Sequence, residues 1–195
     1  MGIKKSDKKL VSKKAIILAV SGVSGAGKDS VIDGLRKFPQ QFSFPVACTD
    51  RPARPSDIPG ETYHFLSEKE FDQVIAHDQF WEWEKVHNSR YGRKKKEFLK
   101  ALNSGKIVVV NCDVLGAQKF KKMFGAVTVF VMPPSIEEAI KRVRKRGGES
   151  EEEIKKRISR YKMELAHKDK SDYVLINDDL ATAQKELLKI TKSLV

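Results

Sequence analysis

The segment Gly22-Val23-Ser24-Gly25-Ala26-Gly27-Lys28 restricts the fold more than any other part of the chain. It follows the apolar run Ala15–Val20 and leads into Ser30-Val31-Ile32-x-x-Leu35, whose spacing predicts a helix. Small residues between a strand and a helix let backbone N–H groups turn inward where side chains would block them. The helix behind adds the partial positive charge of its N-terminus, and Lys28 adds an ammonium group. Strand, loop, lysine and helix in this order are predicted to wrap nucleotide phosphates, with Gly22, Val23, Ser24, Gly25, Ala26, Gly27, Lys28, Asp29 and Ser30 around them. One position departs from the pattern. Asp29 stands where a Ser or Thr hydroxyl would ligate Mg2+. A carboxylate is also a hard oxygen ligand, so Asp29 is a candidate metal ligand, though it sets negative charge beside the phosphates. Ser30 keeps a hydroxyl one position on.

Four runs, Ala15–Val20, Ile107–Asn111, Val127–Met132 and Tyr173–Ile176, are nearly continuous in apolar residues, as strands buried on both faces are. Ser67-x-x-Glu70, Ser135-x-x-Glu138 and Ser150-x-x-Glu153 each read as a capping box opening a helix. Strands separated by helices predict an α/β fold with a parallel core sheet covered on both sides. Between about Val46 and Arg93 that rhythm breaks. Thr62–Leu66 and Phe80–Val86 alternate in polarity around the Pro/Gly-rich turn Arg51–Gly60, which predicts an inserted lobe with its own small sheet.

A net charge of +12 raises the question of a polyanionic partner. Six of the lysines lie within the first fourteen residues and many others in Glu-rich helical segments, with no basic face interleaved by aromatics. That distribution favours an enzyme acting on small phosphates over a nucleic-acid binder. No apolar run approaches the roughly 20 residues a membrane helix needs. The lysine-rich start ahead of Ala15–Val20 resembles a signal peptide, but the apolar stretch is short and runs straight into the glycine loop. Met1-Gly2-Ile3-Lys4-Lys5-Ser6 fits the loose N-myristoylation pattern. That pattern is common by chance, and a solvated basic tail over 1–13 is expected instead. Cys48 and Cys112 lack metal-ligand spacing and are expected to be reduced, buried thiols of a cytoplasmic protein. His64, His77, His87 and His167 share no spacing and receive no role.

Several further motifs carry a resemblance. They are Arg51-Pro52-Ala53-Arg54-Pro55, Gly60-Glu61-Thr62-Tyr63-His64-Phe65, Phe80-Trp81-Glu82-Trp83, Tyr91-Gly92, Asp113-Val114-Leu115-Gly116-Ala117, Pro133-Pro134-Ser135, Arg146-Gly147 and Asn177-Asp178-Asp179. With Gly22–Lys28, in this order and spacing, the chain resembles the guanylate kinases from about Ile16 onward. The resemblance implies a P-loop three-layer fold with core segments 14–45, 94–140 and 159–195, a GMP-binding lobe at 46–93 and a helical lid at 141–158. It also implies ATP as phosphoryl donor, assisted by Mg2+, and a monomer or homodimer with neither nucleic acid nor membrane as partner.

The residues fit that chemistry on their own terms. Arg51 and Arg54 lie three apart beside stiffening prolines, and guanidinium groups grip phosphate through paired charge-assisted bonds. By resemblance Tyr63 and Tyr91 join them on the acceptor phosphate. Glu82, expected to point away from Trp81 and Trp83 on a strand, accepts from the guanine N1–H and N2–H2 edge. The tryptophans are expected in the core. The resemblance also sets Asp113 near the acceptor and a metal–water network, closes Arg142, Arg146 and Arg157 over the phosphates, and brings Asn177 near the adenine. Lys28, Arg51 and the three lid arginines are the implied catalytic set.

Three positions depart from the family: Ala47 replaces a serine that reads guanine, Arg93 replaces the Ser or Thr after Tyr91-Gly92, and Asn111 replaces the first Asp of a D-x-D. The Gly-Lys-Asp-Ser variant also resembles ribose bisphosphate phosphokinases, which leaves a different phosphate ester as an alternative acceptor. A non-catalytic guanylate-kinase-like scaffold for phosphopeptides is a further alternative, but such domains typically lack the P-loop lysine and lid arginines kept here.

Overall fold

Strand β1 (Ile17–Gly22) is buried along its whole length, because it lies inside a five-stranded sheet of order β2-β7-β1-β8-β9. The other members are β2 (Phe42–Ser43), β7 (Ile107–Asn111), β8 (Val127–Met132) and β9 (Tyr173–Ile176). β1 and β8 run parallel with Leu18 opposite Val127, and β8 and β9 run parallel with Val129 opposite Tyr173. In this computed structural model the described residues are 15–53, 55, 57–86, 88–147 and 151–194, less the side chains of 86, 146, 153, 156 and 157. The basic tail, Arg54, His87 and the Ser150 capping box therefore lie outside the described residues.

The chain divides into two compact units, one built on Ser43–Val108 and one on Ile16–Phe42 with Val109–Val195. In the second, α1 (Lys28–Arg36) and α7 (Leu180–Lys192) pack together, burying Leu35 and Leu187 completely. The same unit holds α4 (Val114–Phe124), α5 (Ile136–Arg146) and α6 (Glu151–Leu165). Ser135 caps α5 by accepting from the Glu138 N–H at 3.2 Å, the forward half of the expected capping box. Asp172, just before β9, accepts from the Thr128 N–H at 2.8 Å, the Thr128 hydroxyl at 2.7 Å and Lys121 Nζ at 2.7 Å. One carboxylate thus ties β9 to β8 and α4.

One expectation fails here. The fourth apolar run was expected to be buried on both faces, yet Tyr173, Val174 and Ile176 of β9 are exposed and only Leu175 is buried. β9 is an edge strand, covered on one flank only, so its apolar side chains do not report two-sided burial.

The first unit carries a four-stranded sheet of order β4-β3-β6-β5, from β3 (Ala47–Thr49), β4 (Tyr63–Phe65), β5 (Phe80–Val86) and β6 (Ser89–Lys94). Two helices, α2 (Glu68–Ala76) and α3 (Lys95–Leu102), belong to it. α2 opens with the complete Ser67–Glu70 capping box. Phe71 and Val74 of α2 meet Cys48 and Phe80 in a small apolar cluster. Trp81 is buried against Phe98 of α3, at 5.3 Å between ring centroids. Trp83 corrects the expectation of a second core tryptophan. It lies past a register irregularity between Phe80 and Glu82 and stays 37% exposed, in a T-shaped contact with Phe71.

Candidate active site

The glycine loop has the backbone its sequence demands. Gly25 and Gly27 adopt φ of 82° and 78°, the left-handed region that side chains resist. Space forbids side chains as well. A Cβ at Gly25 would lie 2.4 Å from the Ala139 carbonyl oxygen, and one at Gly27 would lie 2.5 Å from Asn177 Nδ2. Gly27 forms the N-cap of α1, with Lys28 and Asp29 in its first turn. Lys28 Nζ donates to the Gly22 carbonyl at 3.2 Å and more weakly to that of Val23 at 3.5 Å. Asn177 is buried, and its amide donates to the Ala26 carbonyl at 2.8 Å, bracing the loop from the end of β9. Arg142 donates to the Asn177 carbonyl at 2.9 Å and to Glu138 at 3.0 Å, so α5 is fastened to the same point. Asn111 Nδ2 meets Asp29 Oδ1 at 2.5 Å. Asp113 caps α4 through the Gly116 N–H at 2.7 Å, while its other carboxylate oxygen is buried with no hydrogen-bond partner among the described residues.

Sequence reasoning passed over one residue at this loop. Glu164, near the end of α6, accepts from the Ser24 N–H at 3.1 Å, a donor that a phosphate oxygen would otherwise engage. Burial pushes the Glu164 carboxyl above its ordinary value; Lys28, the Ser24 N–H and Arg160 act against that, and Asp113 adds to it.

Arg51, Tyr63, Glu82 and Tyr91 gather at the four-stranded sheet. β3 pairs with β4 through Ala47 opposite Tyr63, and with β6 through Cys48 opposite Gly92 and Thr49 opposite Tyr91. One step further along that register Ala47 stands beside Arg93, and Arg93 is paired with Glu82 of β5. A single cross-strand row therefore reads Tyr63, Ala47, Arg93, Glu82. Two residues along the same face, Tyr91 lies edge-on to Tyr63 at 5.7 Å. The buried Arg51 stacks its guanidinium over Tyr63 and Phe65, at 5.2 and 5.4 Å, and grips Asp57 with two bonds of 2.7 and 3.1 Å. Burial opposes its charge, but the Asp57 bond and the nearby tyrosines hold the Arg51 pKa above the ordinary arginine value. Arg93 Nη1 donates to Glu82 Oε1 at 2.5 Å, with the Arg93 side chain 7% and that of Glu82 21% exposed.

A sequence profile of the guanylate kinases matches residues 12–194. The guanylate kinase of Caldanaerobacter subterraneus is 39% identical over 181 residues, 92% of this chain and 88% of that protein. The guanylate kinase of Rhizobium etli is 34% identical over 97% of this chain and 87% of its own length. The chain belongs to the guanylate kinase family. The crystal structure of guanylate kinase from Anaplasma phagocytophilum shares the fold, with a TM-score of 0.70 and 23% identity, covering 94% of this chain and 88% of that one. This membership does not favour the ribose bisphosphate or scaffold alternatives.

Within this guanylate kinase framework, Arg54 and the side chains of Arg146 and Arg157 lie outside the described residues. A further residue the motifs did not flag is Arg90. It donates to Asp50 from its backbone at 2.6 Å and from Nε at 2.5 Å, bonds Asp72 and the Glu68 carbonyl, and stacks on Phe71 at 4.7 Å. It binds β6 to α2, and its isolated position gave no motif to find it by.

Proposed function

We propose that the chain phosphorylates GMP and dGMP with ATP, giving the nucleoside diphosphate and ADP. One observation carries this reading: a single sheet face gathers Arg51, Tyr63, Tyr91 and Glu82, donors for a phosphate and an acceptor for the guanine edge. An oxygen of the acceptor phosphate attacks the γ-phosphorus of ATP in line. The bond from that phosphorus to the bridging β–γ oxygen breaks, ADP leaves with the electron pair, and no covalent enzyme intermediate forms. Arg51, Arg54, Tyr63 and Tyr91 hold the acceptor phosphate. Lys28 and the loop N–H groups hold the ATP phosphates, with Asn177 towards the adenine. Arg142, Arg146 and Arg157 of a lid spanning 141–158 neutralise the transferring group, and closure of the lid over the core excludes water.

The donor set suits magnesium. Asp29 is exposed in the first turn of α1, Asp113 keeps a buried oxygen, and no three His, Cys, Asp or Glu side chains cluster among the described residues. Mg2+ held through one carboxylate takes its remaining oxygens from phosphates and water. Asp29 would hold it and Asp113 would accept from its water shell; when bound, it offsets charge on the β- and γ-phosphates. The reading places the enzyme in the cytoplasm, as a monomer or homodimer acting on free nucleotides with neither nucleic acid nor membrane as partner. No helix among the described residues is long and apolar enough to cross a membrane.

A coupled ADP-release assay across GMP, dGMP, AMP, UMP, CMP and ribose bisphosphate tests this. GMP and dGMP are expected to be preferred; a larger kcat/KM with ribose bisphosphate would reverse the acceptor assignment.

A further inference from the structure

We propose that Glu164 is a positioning residue that senses phosphate: its carboxylate takes a phosphate's place at the glycine loop, and its expulsion by ATP shifts α6. The inference rests on the ATP reading above and names the residue through which the loop and the helix carrying Arg157 act together.

Helix α6 runs unbroken from Glu151 to Leu165. Near its end Glu164 Oε2 accepts from the Ser24 N–H at 3.1 Å, across 140 residues of sequence. Backbone N–H groups of such a loop are the donors that cradle phosphates. A carboxylate resembles a phosphate in charge and in acceptor oxygens, and its bond to a backbone N–H is charge-assisted. The surrounding charges suit an anion only in part. Burial opposes the Glu164 charge most and Asp113, the cap of α4, adds to that; Lys28 of α1, the Ser24 N–H and Arg160 of α6 support it. The carboxylate is therefore held at a cost, by groups that a phosphate would claim for itself.

The packing shows how its departure would be felt. Ser24 lines a small apolar cleft with Ala139 and Val143 of α5 and with Ile154, Ile158 and Tyr161 of α6. On α6 those three and Glu164 recur every three or four residues, so one stripe of the helix meets both cleft and loop. Apolar contact has no preferred direction and tolerates sliding. The directional bond to Ser24 sets where the helix stops. A triphosphate entering the loop takes the Ser24 N–H and sets like charge beside Glu164, so both effects drive the carboxylate out. A continuous helix carries that displacement back along its length, to Arg157 among others. By linkage, whatever the phosphates spend in moving α6 is affinity they regain when Glu164 no longer competes.

The test is equilibrium binding of ADP, inorganic pyrophosphate and adenosine to the full chain by calorimetry, with hydrogen exchange of the α6 amides and thermal melts. Glu164→Gln keeps the shape of the side chain but loses the charge. It is expected to bind ADP and pyrophosphate about five- to tenfold more tightly than the wild type, and adenosine equally. Glu164→Ala removes the acceptor as well. ADP is expected to change exchange across α6 in the wild type and to change it little in Glu164→Ala, where nothing remains to be expelled. Equal or weaker ADP binding by Glu164→Gln would overturn the proposal, because the carboxylate would then support the loop rather than compete at it. A gain shared by adenosine would overturn it too, since phosphate would not be the group sensed. So would an α6 response to ADP as large in Glu164→Ala as in the wild type. A wild type that binds neither ADP nor pyrophosphate would instead sink the ATP reading itself.

Discussion

The Lys28 ammonium donates to the Gly22 carbonyl of its own loop at 3.2 Å. In the proposed function, a cation kept this close to its own loop would reach the β- and γ-phosphates at little cost in reorganisation and act where negative charge develops. Lys28→Ala is expected to lower kcat by at least about 10²-fold without unfolding the protein, as read by initial rates and circular dichroism. Arg144 provides the contrast. It pairs with Glu151 on an exposed surface at 3.0 Å, so Arg144→Ala is expected to leave turnover near normal. The two thiols also separate at this scale. Burial raises the Cys48 thiol to about 11, whereas Cys112 is only partly buried at the end of β7. Titration with a thiol reagent at pH 8 is expected to modify one cysteine in the native protein and two in denaturant; rapid loss of both would contradict it. The residues of the candidate site were legible from chemistry and spacing in Gly22–Lys28, while Tyr63 and Tyr91 came only through the family resemblance. Glu164 and Arg90 were not, because their roles come from contacts 140 and 40 residues away in sequence.

At the scale of elements, α6 reaches the phosphate loop through a carboxylate. Glu164 accepts from the Ser24 N–H, so under the proposed function ATP phosphates would have to displace like charge from the loop. Because burial raises the folded-state pKa above the ordinary 4.5, the folded chain binds this proton more tightly than the unfolded chain does. The stability it contributes is complete below about the unfolded value and is lost as pH rises through the raised one. Glu164→Gln is expected to melt higher than the wild type at pH 8, to differ less at pH 5, and to show a lower KM for ATP. A stability difference that shrinks towards high pH would refute the assignment. Strands followed the same logic of environment. β7, β8 and β5 begin and end where the apolar and alternating runs do, whereas the six polar or small residues of β6, Ser89–Lys94, gave no such signal. β6 is a strand because β3 and β5 flank it, which is information held by its neighbours.

For the whole molecule, acid stability should depend on the clasp at the sheet edge. Burial pushes the Asp172 carboxyl up, but Lys121 and the N–H and hydroxyl of Thr128 outweigh it and hold the value below the ordinary 3.8. That stabilisation is present above the unfolded-state value and disappears as pH falls through the lowered one. Asp172→Asn is expected to flatten the fall of Tm with acidification below about pH 4; an acid limb as steep as the wild type's would show that other carboxylates dominate. The α/β class and parallel core were legible because buried strands write themselves as unbroken apolar runs. The reading failed at β9, where the same composition marks an edge. The division of the chain into units carries a further consequence for biosynthesis. Strands β3 to β6 all lie within the one stretch Ser43–Val108, whereas the other unit is assembled from Ile16–Phe42 and Val109–Val195. β1 leaves the ribosome early, yet its partner β8 spans Val127–Met132. During translation, then, the four-stranded sheet has its full complement of strands while β1 still waits for β8. A ribosome stalled between β7 and β8 would carry a chain whose first apolar strand is made but flanked on one side only.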